Sequence, residues 1–256
     1  MSAYKLLGVG NNAKTVKGDG SEYLTAIMYL APADLALGYV LDGSTLIKLD
    51  FTDELYCSTA INLCPMAETA GCKPGCLNSA GRGAMNTVQN ARIRKAVMLR
   101  DTPELFFNIL RADLSKFQSY CEKRGIQPVV RLNGTSDRNW KDVILDYPDI
   151  QFYDYSKVYN RVAKNWPSNY HLTLSYSEAN SEYKDKVVEY ANNYNTNLAV
   201  VFRDKNNIPD TFLGRPVING DADDLRFLDP TGVVVALYAK GKARHDDTGF
   251  VIDVTA

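Results

Sequence analysis

His171-Leu172-Thr173-Leu174-Ser175-Tyr176 is followed by a polar helical segment at 179–193 and then by Leu198-Ala199-Val200-Val201-Phe202-Arg203. Strand, helix, strand is the spacing of a βαβ unit, in which the crossover helix returns the chain to the same end of the sheet and makes the strands parallel. The pattern extends in both directions. Upstream, a helix is predicted over 103–124, with Thr102 as its cap, Pro103 in its first turn and Gly125 at its end. Two strands follow, Pro128-Val129-Val130-Arg131-Leu132-Asn133 and Ile150-Gln151-Phe152-Tyr153-Asp154-Tyr155. Downstream lie Val217-Ile218-Asn219-Gly220 and Gly232-Val233-Val234-Val235-Ala236-Leu237-Tyr238. Several of these runs are continuously apolar, as strands covered on both faces are.

The expected fold is therefore α/β: a partial or irregular (β/α) barrel, TIM barrel-like, with a mostly parallel sheet and helical cover. Nothing resembling a Pro-, Gly- and Ser-rich linker divides the chain, and no long-period repeat occurs, so one domain is expected over 1–256. Within it, 1–60 reads as N-terminal strands and turns, 61–86 as a cysteine loop and 87–256 as βα repeats. Strands are expected at Tyr23–Pro32 and Leu46–Phe51. Between 87 and 100, apolar positions 88, 91, 93, 97 and 98 fit a basic amphipathic helix.

Cys64, Cys72 and Cys76 stand in one loop, spaced C-x7-C-x3-C and punctuated by Gly71, Pro74 and Gly75. Cys57 lies just upstream, and Cys121 falls on the predicted helix as a packed apolar residue. Crowded thiols in a chain without secretory features point to a bound metal or iron–sulfur cluster rather than to disulfides. Cys64, Cys72 and Cys76 are the best ligand set, with Cys57 and His171 as possible extra ligands. A [4Fe–4S] cluster takes four ligands but functions with three, whereas a closed structural zinc site wants four; zinc is the lesser alternative. With only His171 and His245 in the chain, a His-rich catalytic zinc site is excluded and a Ser-His-Asp triad is poorly supplied.

A formal net charge of −1 provides no basic field for nucleic acid. No apolar run approaches the roughly 20 residues of a membrane span, and Met1–Leu7 has no signal-peptide character. A cytoplasmic setting is expected.

Polar residues follow the strands: Asn133 and Asp137, Asp154 and Lys157, then Ser175 and Glu178. In parallel α/β sheets ligands bind at the carboxyl ends of strands, so these residues are expected to line a pocket there, beside the cysteine loop. Arg82 and Gly83 suggest an anion site, a guanidinium beside open backbone amides. Gly8-Val9-Gly10-Asn11-Asn12-Ala13-Lys14-Thr15 imitates a phosphate-binding loop, but Ala13 stands where that motif has glycine. The acidic run Asp221-Ala222-Asp223-Asp224 reads as a solvated turn, and only secondarily as a cation site.

The chain resembles a phage-associated family, gene product 88. The resemblance rests on Leu7–Thr15, Cys64-Pro65 through Gly81-Arg82-Gly83, Val130-Arg131-Leu132-Asn133-Gly134-Thr135-Ser136-Asp137, Gln151–Lys157, Tyr170–Thr173 and Asp224–Pro230. It implies a phage product working in the host cytoplasm. More loosely, the chain is similar to radical S-adenosylmethionine enzymes, whose barrel carries three cysteines on a loop near its first strands. That likeness implies an open cluster iron, possible binding of S-adenosylmethionine and a small-molecule substrate. The usual C-x3-C-x2-C spacing and a Gly-Gly-Glu stretch are absent. The alternative is a non-catalytic phage protein with a structural metal site that binds a host or phage protein.

Overall fold

A computed structural model describes residues 5–10, 17–20, 22–50, 52 and 61–254. Its centre is a ten-stranded sheet. Seven strands run parallel side by side: β2 (Tyr23–Met28), β5 (Gln127–Arg131), β6 (Gln151–Ser156), β7 (Tyr170–Ser175), β8 (Leu198–Phe202), β11 (Val234–Tyr238) and β10 (Arg215–Asn219). Short antiparallel strands border them, β1 (Leu7–Val9) on β2 and β9 (Thr211–Phe212) on β10. A separate antiparallel pair, β3 (Tyr39–Asp42) and β4 (Thr45–Lys48), turns at Gly43. Among the described residues no ladder joins β1 to β9.

The tenth strand, β12 (Val251–Ile252), opens the sheet in the middle. β7 pairs with β8 only at Leu174–Leu198 and Ser175–Ala199. Beyond that point Val251 and Ile252 lie beside Val201 and Phe202. The C-terminal chain thereby reaches the exit of β7.

Register assigns the two faces. Ala26, Val130, Phe152, Leu174, Leu198 and Val234 share one face and carry the helices. Helix α1 (Asn86–Asp101) buries Ile93, Val97 and Leu99 there, and α2 (Pro103–Glu122) buries Phe106, Leu110, Leu114, Phe117 and Cys121. The α2 spacing is a single three- and four-residue stripe, which is why that segment is helical and why it docks by one side. Full burial stabilises each of its large side chains by about 2 kcal/mol. Helix α3 (Lys141–Leu145) adds Val143 and Ile144, and α4 (Ser181–Asn193) adds Tyr183, Val187 and Ala191.

The opposite face carries Arg131, Tyr153, Tyr155, His171 and Thr173, and the segment 220–229 folds across it. Arg131 Nη1 lies 3.3 Å from Asp224 Oδ2, Tyr153 donates its hydroxyl to the same carboxylate at 2.9 Å, and Phe227 meets the rings of Tyr23 and Tyr153. Burial alone would lower the Arg131 pKa, but Asp224 together with Tyr153, Tyr155 and Tyr29 outweighs it and holds the guanidinium's pKa above its ordinary value.

Several expectations need correction. The first parallel strand stops at Met28 instead of running to Pro32, and of the run expected at Leu46–Phe51 only 46–48 joins the small hairpin, with Phe51 outside the described residues. Thr102 does not cap α2: its hydroxyl donates to Met98 of the preceding helix at 3.1 Å. Leu7–Val9 is an edge strand rather than the start of a phosphate loop, while Asn11, Asn12 and Lys14 lie outside the described residues. The acidic run is not a solvated turn. Asp224 is buried against Arg131, and Asp221 accepts from Lys240 Nζ and from the Tyr238 amide.

Candidate functional site

The cysteine loop follows the first parallel strand and lies along the carboxyl ends of β5, β6 and β7. Its start is tied to the loop after β5: Asp137 donates its N–H to the Leu63 carbonyl at 2.7 Å, and the Cys64 thiol points at the Thr135 carbonyl, 3.7 Å away. Its middle is clamped at the exit of β7. Ser177 Oγ donates to the Ala70 carbonyl, and Thr248 Oγ1 to that of Gly71. Gly71 has φ +63°, and a Cβ there would lie 2.6 Å from both Ala179 Cβ and Thr248 Oγ1. Only glycine satisfies both the left-handed backbone and this approach. The end of the loop packs on the C-terminal chain, where a Cβ on Gly75 would meet Ala243 at 3.2 Å.

These anchors bring Cys64, Cys72 and Cys76 within electrostatic reach of one another. Burial pushes the Cys64 thiol up to about 12, the Ala33 amide works against this, and Cys76, Asp137 and Cys72 add to it. Cys76 is also raised, by burial first and then by Cys72, against the opposing effects of the Asn78 amide, Lys157 and Arg92. The Asn78 N–H lies 3.5 Å from Cys76 Sγ. An amide aimed at a sulfur stabilises a thiolate and is a common second-shell feature of metal-bound cysteines. Among the described residues, no group of three or more His, Cys, Asp or Glu side chains is gathered at metal-binding distances. The three sulfurs face one region without closing around a point. Cys57 lies outside the described residues, and Cys121 is fully buried on α2.

His171 belongs to a different part of the molecule. As the second residue of β7 it is four strand steps, about 13 Å, before the exit at Ser175. Burial and the nearby Arg226 lower its pKa to about 4, and its Nε2 lies 3.4 Å from Thr173 Oγ1.

The residues expected to line one pocket fall on two sides of the sheet. Asp154 is on the helix-covered face, where it accepts from the Asn133 amide at 2.8 Å and from Asn133 Nδ2 at 3.1 Å. Burial raises its pKa to about 7. Asn133 Oδ1 accepts from Ser136, Arg138 and Trp140. Asp137 receives Ser156 Oγ, the Lys157 amide and Arg161. Each of these groups is satisfied by its neighbours, so together they lock the loop after β5 rather than face a cavity. Ser175 is buried on the opposite face, and exposed Glu178 accepts from the Tyr176 hydroxyl. Two of this group approach the cysteines, Lys157 toward Cys76 and Asp137 toward Cys64. The Gly83 amide is not open to an anion, because it donates to the Ala80 carbonyl; Arg82 is exposed.

Arg92 and Asn78 were not singled out from sequence. Arg92 is buried on α1, bonded to Asn78 Oδ1 and stacked 4.7 Å from the Tyr29 ring. The available signal was an arginine on the apolar side of a helix that directly follows the cysteines.

These features define an α/β protein with a large, mostly parallel sheet and a three-cysteine loop at the carboxyl ends of its strands. The family model described as Gene product 88 matches residues 5–254, and the chain belongs to that family of phage gene products. No curated protein and no solved structure gives a significant match to the sequence. No described helix is long and apolar enough to cross a membrane.

Proposed function

We propose that the protein binds an iron–sulfur cluster through Cys64, Cys72 and Cys76, at the strand-end face of a partial barrel. The observation that carries this is the convergence of three thiols from one clamped loop, close enough that Cys72 and Cys76 raise the Cys64 pKa and Cys72 raises that of Cys76, in a region that also holds Arg92 and Lys157. Cys64 and Cys76, neutral at pH 7 when metal-free, would release protons on binding, and the adjacent cations and the Asn78 amide favour the charge that results. Binding requires the sulfurs to draw together around the metal. A cluster held by three cysteines supplies single electrons to a ligand at its open iron, and S-adenosylmethionine is the ligand this reading assigns.

The chain's own contribution is positional. Gly71 and Thr248 fix the loop, Asn78 aims its amide at Cys76, and the 220–229 segment closes the sheet face beneath. Iron, zinc and acid-labile sulfide analysis of anaerobically purified protein tests the metal. Electron paramagnetic resonance of the reduced protein, with and without S-adenosylmethionine, tests the open iron; an unchanged spectrum would remove that part of the proposal.

A second reading is a non-catalytic phage protein in which a metal, zinc included, secures the loop for binding a host or phage protein. The clamp at Gly71 favours it, since a loop tied at several points suits a structural metal. Stoichiometric zinc without sulfide would select this reading.

A further inference from the structure

We propose that Arg92 and Lys157 form an oxyanion-binding pair beside Cys76, holding the carboxylate or phosphate group of a small ligand. This rests on the reading of the cysteine loop as the working site, though not on which metal it carries. Arg92 is more than nine-tenths buried, and its Nε has no hydrogen-bond acceptor among the described residues. Its Nη1 is held by Asn78 Oδ1, and the same Asn78 donates its amide toward Cys76 Sγ, so one residue joins guanidinium and sulfur. Lys157 arrives from the end of β6. Its Nζ lies 5.0 Å from the centre of the Phe250 ring, and that ring borders Gly75, the residue before Cys76.

Among the described residues, neither cation has a carboxylate partner. The groups that act to raise the Arg92 pKa are the Tyr29 phenol and the Cys76 thiol, not an acid. Asp137 accepts the Lys157 backbone amide but gives its carboxylate to Arg161 and Ser156. A guanidinium taken out of water without a counter-charge is unfavourable unless something compensates it. A planar guanidinium and a mobile ammonium together suit a carboxylate or phosphate. Both residues also stand where ligands of parallel sheets collect, Arg92 through its backbone contact with Ala31 beyond β2 and Lys157 just beyond β6.

The test is calorimetric titration of the full chain with inorganic phosphate and, separately, with succinate, together with metal analysis of each sample. Lys157→Gln and Arg92→Gln are expected to weaken binding of at least one anion tenfold or more, while Arg82→Gln stays within twofold of the parent. The anion retained by the parent chain tells a phosphate ligand from a carboxylate one. Should Arg92→Gln fail to fold, Lys157→Gln decides alone. Unchanged affinity in Lys157→Gln overturns the proposal, as does a parent chain that binds neither anion. So does a Lys157→Gln protein that sheds metal at unchanged anion affinity, since the cations then serve the thiolates. A parent chain without metal that still shows Lys157-dependent anion binding supports the pair and removes the cluster.

Discussion

The Thr248 hydroxyl hydrogen-bonds the Gly71 carbonyl at 3.0 Å, across 177 positions of chain. This contact ties the middle of the cysteine loop to the C-terminal segment that wedges between β7 and β8. The geometry of the thiols thus depends on residues far from them in sequence.

Gly71→Ala tests the clamp. The new methyl meets Ala179 and Thr248 at 2.6 Å on a backbone of positive φ, so overpacking and the left-handed conformation act together. The expected loss is about 2–4 kcal/mol in urea unfolding. Gly81→Ala, also at positive φ but with open space around it, is expected to lose only about 1 kcal/mol. Equal losses would show that the approach at Gly71 is unimportant.

The buried pair Arg131–Asp224 holds the 220–229 segment on the sheet. Arg131→Met leaves the Asp224 carboxylate in a buried site without its guanidinium, and a loss of about 3–5 kcal/mol is expected. Combining it with Asp224→Leu should recover part of that loss, because two apolar groups replace two charges. A double variant no more stable than Arg131→Met would show that the pair is not coupled.

Two buried groups give opposing pH dependences. The folded pKa of His171, about 4, lies below its ordinary 6.5, so the unfolded chain binds the proton more readily. Its stabilising contribution is complete above pH 6.5 and is lost as pH falls toward 4, by up to about 3 kcal/mol. Asp154 behaves oppositely. Its folded pKa of about 7 exceeds the ordinary 3.8, so its contribution is complete below pH 3.8 and fades as pH rises through 7. The two nearly offset each other between pH 4 and 6.5. His171→Gln should therefore expose the Asp154 slope, with stability falling as pH rises through that window. A variant as flat as the parent chain would contradict both assignments.

In metal-free protein the raised thiols should react slowly. Burial pushes Cys64 up to about 12 and Cys121 to about 11, and the thiolate is the nucleophile. Iodoacetamide at pH 7.5, followed by mass mapping, should find both alkylated far more slowly than a free cysteine. Rapid modification of Cys64 would show that its thiol is not buried as described.

Much of the architecture was legible because the parallel strands repeat one pattern. The runs around Val129, Leu174, Val200 and Val235 are apolar at the steps facing the helices, the run around Phe152 departs from this only at Asp154 and Ser156, and the helices between them carry clear stripes. What escaped was short or set by tertiary contact. Leu7–Val9 and Val251–Ile252 are strands only because β2 and β8 offer them a free edge. The turn at Asp42-Gly43 is a usable hairpin signal, but its partner Tyr39–Asp42 has no alternation to go with it. Of the proposed site, the three cysteines and Lys157 stand out in the sequence. Asn133, Asp137 and Asp154 misled because polar residues after strands look alike whether they face a ligand or bond to one another. Arg92 is the converse: its place on the apolar side of the helix is the only mark that sets it apart from the other arginines of the same basic segment.

The most direct test is the iron and sulfide content of anaerobically purified protein, compared among the parent chain, Cys76→Ala and Cys121→Ala. The cluster reading expects iron and sulfide in nearly equal amounts with a brown absorption band in the parent and in Cys121→Ala, and their loss in Cys76→Ala. A colourless parent chain, or one whose metal content is the same in all three proteins, would contradict it.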